Sequence, residues 1–346
     1  MPYYQTIRKI NNKEERLRTI DRLLLLRNQL DRQIPRKTAS DTLLLATWNI
    51  REFGDNRRTE SLHYIAEIIS RFDVIAVQEV SANLKGLEKV ISLLNLNWDS
   101  FVNDSTEGSA GGGERTVFLY DKSKVSFEKT TGEIVLPENK LIDGKFQFAR
   151  TPFFASFKAG WFKFNLTTVH IYYGSSSGVD KRRLEEINTI AAFLSKRAKN
   201  EDTSYILLGD FNINKAGDVT MQALEKNGFV IPDSIKSHPS DLGGTHHYDQ
   251  IAFNMKLDTS MAVFSENEQK AGAFDFTETV YTPQDLAIYR KYFSEKNTQG
   301  KTEKEIEKYY LSTWRTFQMS DHLPLWVELK IDFSNQYLER IKSQYL

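Results

Sequence analysis

A buried strand is predicted to end within Leu207-Leu208-Gly209-Asp210-Phe211-Asn212. The apolar run begins at Tyr205 and stops at glycine, and an aspartate and an asparagine follow two residues apart. Residues two apart on an extended chain point the same way, so Asp210 and Asn212 are expected to direct a carboxylate and an amide at one point. That pair suits a hard cation or a phosphate. The same residue types are common in turns, and a simple turn is the alternative.

The composition allows a large core and excludes several kinds of site. The chain has 346 residues, of which 40% are hydrophobic and 12% aromatic, enough for one large β-rich domain with additions. There is no cysteine, which excludes disulfides, thiolate catalysis and cysteine zinc sites. The 46 basic and 46 acidic residues balance, but residues 1–40 hold ten Lys or Arg against four Asp or Glu, a net of +6 that leaves −6 for the remainder. A negative main body fits a site of carboxylates that hold metal ions.

The N-terminal segment lacks the pattern of a signal peptide. Its longest apolar run, Leu23 to Leu26, spans four residues and has Arg on both sides. No stretch of the sequence approaches the length of a membrane span. We therefore expect a cytoplasmic protein with no membrane partner.

Hydrophobic periodicity predicts strands that are separated by helices or long loops. Apolar residues recur at three- and four-residue steps over 14–34 before Pro35, which predicts an amphipathic helix. Further helices are expected at 59–71, 84–96, 180–199 and 333–344, and strands at 43–51, 73–80, 115–120, 146–157, 161–170, 205–208, 248–253 and 320–329. The expected organisation is a basic helical extension at 1–40, a main catalytic domain at 41–332 with a helical insertion at about 283–313, and a C-terminal helix at 333–346.

This order of elements favours an α+β fold in which two sheets pack face to face and helices cover them. A doubly wound parallel sheet is the alternative. Such a fold usually carries a glycine-rich phosphate loop after its first strand, and the first predicted strand here is followed by none.

Polar residues gather at the ends of the predicted strands. They are Asn49, Glu79, Glu114, His170, Asp210, Asn212, Asp249, Asp321 and His322. Oxygen ligands without thiols favour Mg²⁺, Mn²⁺ or Ca²⁺ over zinc, and Glu79 is the best single ligand because it ends a buried run. The two histidines, each with a carboxylate partner, could exchange protons with water and with a leaving group.

Nine short segments occur in an order that resembles a known family. They are Trp48-Asn49-Ile50-Arg51-Glu52-Phe53-Gly54, Val77-Gln78-Glu79-Val80, Glu114-Arg115, Arg150-Thr151-Pro152, Val169-His170, Gly209-Asp210-Phe211-Asn212, Tyr248-Asp249-Gln250-Ile251, Phe274-Asp275-Phe276 and Ser320-Asp321-His322-Leu323-Pro324. Over residues 42–332 the chain resembles the metal-dependent endonuclease/exonuclease/phosphatase superfamily, and within it most closely the deoxyribonuclease I-like nucleases.

The resemblance implies a four-layer α/β/β/α sandwich and a set of metal and phosphate residues. Glu79 would be the principal metal ligand. The residues around the metal and the scissile phosphate would be Asn49, Asp210, Asn212 and Asp321. Arg150 would hold one phosphate and Arg51 a neighbouring one, which suits the bidentate and always charged guanidinium group.

The resemblance also implies roles for the two histidines. His322, oriented by Asp249, would be the general base that activates water. His170, oriented by Glu114, would be the general acid on the side of the leaving group. Two separate histidine–carboxylate pairs would serve in-line attack, which needs a base on one side and an acid on the other.

Two positions depart from the deoxyribonuclease I-like pattern. In those enzymes an Arg two residues after the metal-binding Glu, and a Tyr two residues before the Glu of the Glu-Arg segment, enter the DNA minor groove. The corresponding residues here are Ser81 and Gly112. The residues that would grip a duplex are therefore missing from both places.

Three functions follow, and the first is favoured. It is a Mg²⁺-dependent endonuclease that nicks DNA and leaves a 3′-hydroxyl. The second is a phosphatase or phospholipase C-type hydrolase of inositol phosphates or a sphingomyelin-like substrate, and the third is a non-enzymatic protein that binds a partner through the terminal helices. The sequence does not decide whether the substrate is DNA or RNA, or whether it is single- or double-stranded. It does not identify the physiological metal or the oligomeric state.

Overall fold

The computed structural model describes residues 2–107, 111–175, 178–201, 203–256 and 270–345, and the strands in these ranges form two sheets. The first sheet contains, in spatial order, β10 (Ala271–Ala273), β11 (Leu325–Lys330), β1 (Thr42–Phe53), β2 (Val74–Ser81), β4 (Glu114–Asp121) and β3 (Trp98–Val102). The second contains β5 (Val125–Glu133), β6 (Phe153–Ala159), β7 (Phe162–His170), β8 (Ser204–Asp210) and β9 (Asp249–Asn254). β1 runs parallel to β2 and β7 to β8, and the other neighbouring pairs are antiparallel.

Helices connect and cover the strands. They are α1 (Lys13–Gln33), α2 (Thr59–Ile69), α3 (Lys85–Leu93), α4 (Lys181–Glu201), α5 (Val219–Lys226), α6 (Asp233–Lys236), α7 (Leu286–Tyr289), α8 (Glu303–Tyr309), α9 (Arg315–Gln318) and α10 (Ser334–Ser343). A π-helical turn at Tyr310–Trp314 joins α8 to α9. Within the described ranges, no helix combines the length and apolarity needed to cross a bilayer.

Alternation along β1 shows how the layers are arranged. Leu43 and Leu45 lie in the core between the two sheets, which continues into the packing of α4 and α5 on the second sheet. Leu44 and Ala46 lie on the opposite face, in a second core formed with α1, α2 and α3. Successive strand residues point to opposite faces, so β1 contributes to both cores. The order helices, sheet, sheet, helices confirms the predicted four-layer α/β/β/α sandwich.

The face of β1 that meets the second sheet changes from apolar to polar along the strand. Leu43 and Leu45 are followed on this face by Thr47 and Asn49, all fully buried. The Gln78 amide nitrogen of β2 donates to Thr47 Oγ1 at 3.1 Å and reaches across to Thr168 Oγ1 of β7 at 2.9 Å. The space between the sheets therefore becomes polar at the end where both sheets present carboxylates.

The predicted N-terminal helix is present as α1, but only part of its apolar face is buried. The Asn12 side chain caps it by accepting from the Glu15 N–H at 2.9 Å. Leu23, Leu26 and Leu30 are buried in the core that α1 shares with α2, α3 and the first sheet. Leu17, Ile20 and Leu24 also follow the helical period, yet they are exposed. The division into an extension at 1–40, a catalytic domain at 41–332 and a C-terminal helix at 333–346 stays a prediction.

Some predicted elements differ from the structure. The strand expected at 146–157 begins only at Phe153. Before it, the Gln147 side chain accepts from the Leu136 N–H and donates to the Leu136 carbonyl, a side-chain contact where a strand would have backbone pairs. The strands β3, β5 and β10 were not predicted. The helix-prone insertion at about 283–313 contains two helices, α7 and α8, and short 3₁₀ turns, and its end enters the π-helical turn.

Candidate functional site

Three predicted site residues converge on one carboxylate oxygen at the end of β8. Asp210 Oδ2 accepts from Asn49 Nδ2 at 2.9 Å. It also lies 3.6 Å from His170 Nε2 and 3.9 Å from His322 Nε2. The Nε2 atoms of His170 and His322 are therefore at most 7.5 Å apart, which is the sum of these two distances. An amide from the first sheet and two imidazoles thus surround one carboxylate of the second.

Glu79 is directed into this site by an irregularity in two strand pairings. The register of β2 shifts against β1 between Asn49 and Phe53, and against β4 between Val77 and Val80. Glu79 itself has a φ of 58°, in the left-handed region that is costly for a residue with a side chain. Bulges of this kind re-aim side chains next to active sites. The Glu79 carboxylate accepts from Asn49 Nδ2 at 2.8 Å and from the Glu52 N–H at 2.9 Å.

The group formed by Asn49, Glu79 and Asp210 fits a hard cation that keeps water ligands. Asn49 donates to both carboxylates through Nδ2, and its Oδ1 is buried without a hydrogen-bond partner in the described part of the chain. Across the same residues, His, Cys, Asp and Glu form no cluster of three or more that could enclose a metal by themselves. Mg²⁺ commonly binds through one or two carboxylates and retains several waters. Two carboxylates beside an unpaired amide oxygen match that donor set.

His322 is held by a buried carboxylate. Its Nδ1 lies 2.7 Å from Asp249 Oδ2. Burial lowers the pKa of His322, but the charge and hydrogen bond of Asp249, with the charges of Asp210 and Asp321, outweigh it and raise the pKa well above its usual value. This contact fixes the ring so that Nε2 is the nitrogen directed at Asp210.

His170 has a different carboxylate partner. Its Nδ1 lies 2.9 Å from Glu114 Oε2. Arg150 donates to both oxygens of Glu114, at 3.2 and 3.0 Å. Burial raises the pKa of Glu114, but His170 and Arg150 outweigh it and lower the pKa to about 2. Burial and Arg150 lower the pKa of His170, whereas Glu114 and Asp210 raise it more.

The geometry expected for the Asp210–Asn212 pair differs from the structure. The chain is not extended at Asn212, whose φ is 54°. Its N–H donates to Asp210 Oδ1 at 2.8 Å, and its side-chain amide donates to the Ile171 carbonyl at 2.8 Å. The pair therefore forms a turn, the alternative that these residue types also fit, and the Asn212 amide nitrogen is bonded to the segment after His170.

Asp321 and Arg51 lie beside the group formed by Asn49, Glu79 and Asp210. Arg51 Nη1 donates to Thr316 Oγ1 at 2.7 Å and lies 3.6 Å from Asp321 Oδ2. The Asp321 side chain is 44% exposed. Unlike Asn49, neither residue makes a described hydrogen bond to Glu79 or Asp210.

Two further residues position His322, and neither was assigned a role from the sequence. Ser320 Oγ donates to the Asn49 carbonyl at 2.6 Å and accepts from the His322 N–H at 3.0 Å. Trp48 Nε1 donates to the His322 carbonyl at 2.9 Å. Ser320 begins the Ser320–Pro324 segment, but Asn49 is distant from it in sequence, so only the fold reveals this contact.

A cleft of about 910 Å³ opens next to Glu79, and we call it the Glu79 cleft. Ser81 and Gly112, the two departures from the deoxyribonuclease I-like pattern, both line it. Phe317 and Gln318 of α9 line it as well. The missing groove-binding side chains therefore leave open space beside the candidate metal group.

Comparison with known proteins finds matches over most of the chain. A sequence model described as the Endonuclease/Exonuclease/phosphatase family matches residues 46–283. Deoxyribonuclease-1 of Bos taurus is 24% identical over 266 residues, which cover 71% of this chain and 88% of that protein.

Two solved structures show a shared fold. An endonuclease/exonuclease/phosphatase family protein from Bacteroides thetaiotaomicron has a TM-score of 0.55 at 17% identity, covering 86% of this chain and 98% of its own. A mannosyl-6-phosphatase from the same bacterium has a TM-score of 0.52 at 17% identity, covering 83% of this chain and 99% of its own.

Proposed function

The chain belongs to the endonuclease/exonuclease/phosphatase family, and on that premise we propose that it is a metal-dependent phosphodiesterase that nicks DNA. Members of this family are hydrolases. The observation that carries the proposal is the convergence of Asn49, His170 and His322 on Asp210, because it places two proton-transfer groups around one polar centre. The likeness to deoxyribonuclease-1 over 71% of the chain supports nucleic acid as the substrate.

Glu79, Asp210 and Asn49 would hold a divalent cation, for which Mg²⁺ is the proposed species. Such an ion polarises a phosphoryl oxygen and neutralises charge that develops in the transition state. The buried, unpaired Asn49 Oδ1 supports this assignment, because an amide oxygen without a donor is satisfied by a cation.

His322 is the proposed general base. Its Nδ1 faces Asp249, so Nε2 is free to take a proton from the attacking water. The Asp249 carboxylate holds the ring orientation and stabilises the imidazolium that forms when the proton arrives.

His170 is the proposed general acid on the other side of the phosphate. Its Nδ1 lies 2.9 Å from Glu114 Oε2, so Nε2 is the nitrogen that would give a proton to the leaving group. Arg150 is occupied by Glu114 in this structure, and we propose that it turns part of its guanidinium to a substrate phosphate. Arg51 is proposed to face a neighbouring phosphate.

A substrate panel tests this proposal against the phosphatase alternative. Purified protein with Mg²⁺ is incubated separately with supercoiled plasmid, a DNA oligonucleotide, an RNA oligonucleotide and a set of sugar and inositol phosphomonoesters. We expect conversion of plasmid to open circles and no release of inorganic phosphate. Phosphate release from a monoester without any cleavage of nucleic acid would contradict the proposal and favour the phosphatase function.

A further inference from the structure

The Glu79 cleft has the size of a ligand site and one aromatic wall. Its volume of about 910 Å³ lies within the range of small-molecule sites, roughly 300 to 1,000 Å³. Small residues, among them Ser81 and Gly112, form part of its lining. Phe317 is the aromatic residue among those that line the cleft. A flat ring that enters the cleft would therefore meet Phe317.

Phe317 is held in place by a cation. The Arg51 guanidinium carbon lies 4.1 Å from the centre of the Phe317 ring. Arg51 is fixed in turn by Thr316 at 2.7 Å and by Asp321 at 3.6 Å. Aromatic rings and Arg planes are the groups on which proteins stack unpaired bases. Phe317 on Arg51 is therefore an oriented stacking platform at the edge of the cleft.

The charges of the cleft favour a base over a phosphate. Four carboxylates line it, those of Glu52, Asp55, Glu79 and Glu114. The basic residue in the lining, Arg57, is buried and donates to the backbone carbonyls of Glu52 and Arg51. Glu79 is proposed to hold the cation, and Glu114 is paired with Arg150 and His170. Glu52 and Asp55 are therefore the carboxylates that would repel a phosphate inside the cleft. A base is neutral, and its amino groups can donate to carboxylates.

We propose that the Glu79 cleft receives an unpaired base next to the scissile phosphate, stacked on Phe317, and that the preferred substrate is single-stranded nucleic acid. This inference rests on the proposed function and names its substrate class. A base in a duplex is already stacked and paired, so bringing it into the cleft costs free energy that a single strand does not require. The small residues at positions 81 and 112 fit this preference, because they leave room for a base.

Steady-state kinetics on one DNA sequence, offered as a single strand and as a blunt duplex, tests the inference. Wild-type protein is expected to have a KM at least tenfold lower for the single strand. Phe317→Leu, which keeps apolar volume without a ring, is expected to raise that KM by about 5- to 150-fold, the usual loss for one stacked base. It should leave kcat within about twofold and the KM for duplex unchanged. Phe317→Tyr keeps the ring and should retain the wild-type KM.

Phe193→Ala is the matched control. Phe193 is 39% exposed and lies under Arg197 on α4, outside the cleft. Its KM for both substrates should match wild type. Equal KM values of wild type for single strand and duplex, or equal effects of Phe317→Leu and Phe317→Tyr, would overturn the inference and leave the nuclease proposal standing. Failure of the wild type to cleave any nucleic acid would overturn both.

Discussion

His322→Ala is expected to slow plasmid nicking by about 10²- to 10⁴-fold, the usual contribution of a positioned general base. The variant removes the Nε2 that lies 3.9 Å from Asp210 and leaves the opposite histidine in place. Initial rates under saturating Mg²⁺ measure the effect, and circular dichroism establishes that the variant is folded. His238→Ala, on a loop that contributes no proposed site residue, should retain the wild-type rate.

The same role determines how the rate depends on pH. A base must be unprotonated, so kcat/KM should fall as the pH drops below the pKa of His322. Asp249 raises that pKa, and Asp249→Asn should therefore shift the acid limb of the profile to lower pH while also reducing the rate. A His322→Ala variant within tenfold of wild type would contradict the assignment of the base.

Gly209→Ala is expected to destabilise the fold by about 2–6 kcal/mol, the sum of backbone strain and overpacking. Gly209 has a φ of 131°, which side-chain-bearing residues rarely adopt. A Cβ there would lie 2.1 Å from the Val169 carbonyl oxygen, on the paired strand β7. The clash is with backbone inside a buried sheet, so relief requires β7 and β8 to separate. The free energy of unfolding from urea titration measures the loss.

Gly300→Ala provides the matched control for that experiment. Gly300 also has a positive φ, 70°, but a Cβ there would meet nothing within 4 Å. It should cost only about 1 kcal/mol, from the backbone conformation alone. If Gly209→Ala and Gly300→Ala were equally destabilised, the close approach of β7 and β8 would not be the reason for glycine.

Several features of the site follow from where apolar runs end in the sequence. Strands of two facing sheets finish at a common edge, so the polar residue after each run has a high chance of meeting the others. Asn49 of the first sheet and Asp210 of the second are 161 residues apart and form a hydrogen bond of 2.9 Å. The pairing of His322 with Asp249 and of His170 with Glu114 was implied by the family resemblance, since spacing alone does not specify partners.

Backbone irregularities could not be predicted from periodicity. Glu79 points into the site because its φ is left-handed within a register shift, whereas simple alternation assumes a regular strand. The Asn212 turn is the same kind of departure, because a side chain accepting from a nearby N–H competes with extended backbone. Both depend on contacts that exist only once neighbouring strands are in place.

The sequence also did not predict which residues are buried by packing between elements that are distant along the chain. Leu17, Ile20 and Leu24 share the helical period with Leu23 and Leu30, and only the packing of α1 in the core that it shares with α2 separates the exposed from the buried members. The surroundings of Phe317 could not be predicted either. Its position after a helix-prone insertion does not show that it reaches the cleft beside Glu79, nor that Arg51 lies over its ring.

The most direct test of a metal-dependent phosphodiesterase is the initial rate of plasmid nicking as Mg²⁺ is titrated into metal-free protein. We expect no nicking in EDTA, a rate that rises to saturation with Mg²⁺, and a midpoint at higher Mg²⁺ concentration for Glu79→Gln, which keeps the shape of the side chain but removes its charge. Nicking at the same rate in EDTA as in saturating Mg²⁺ would contradict the account.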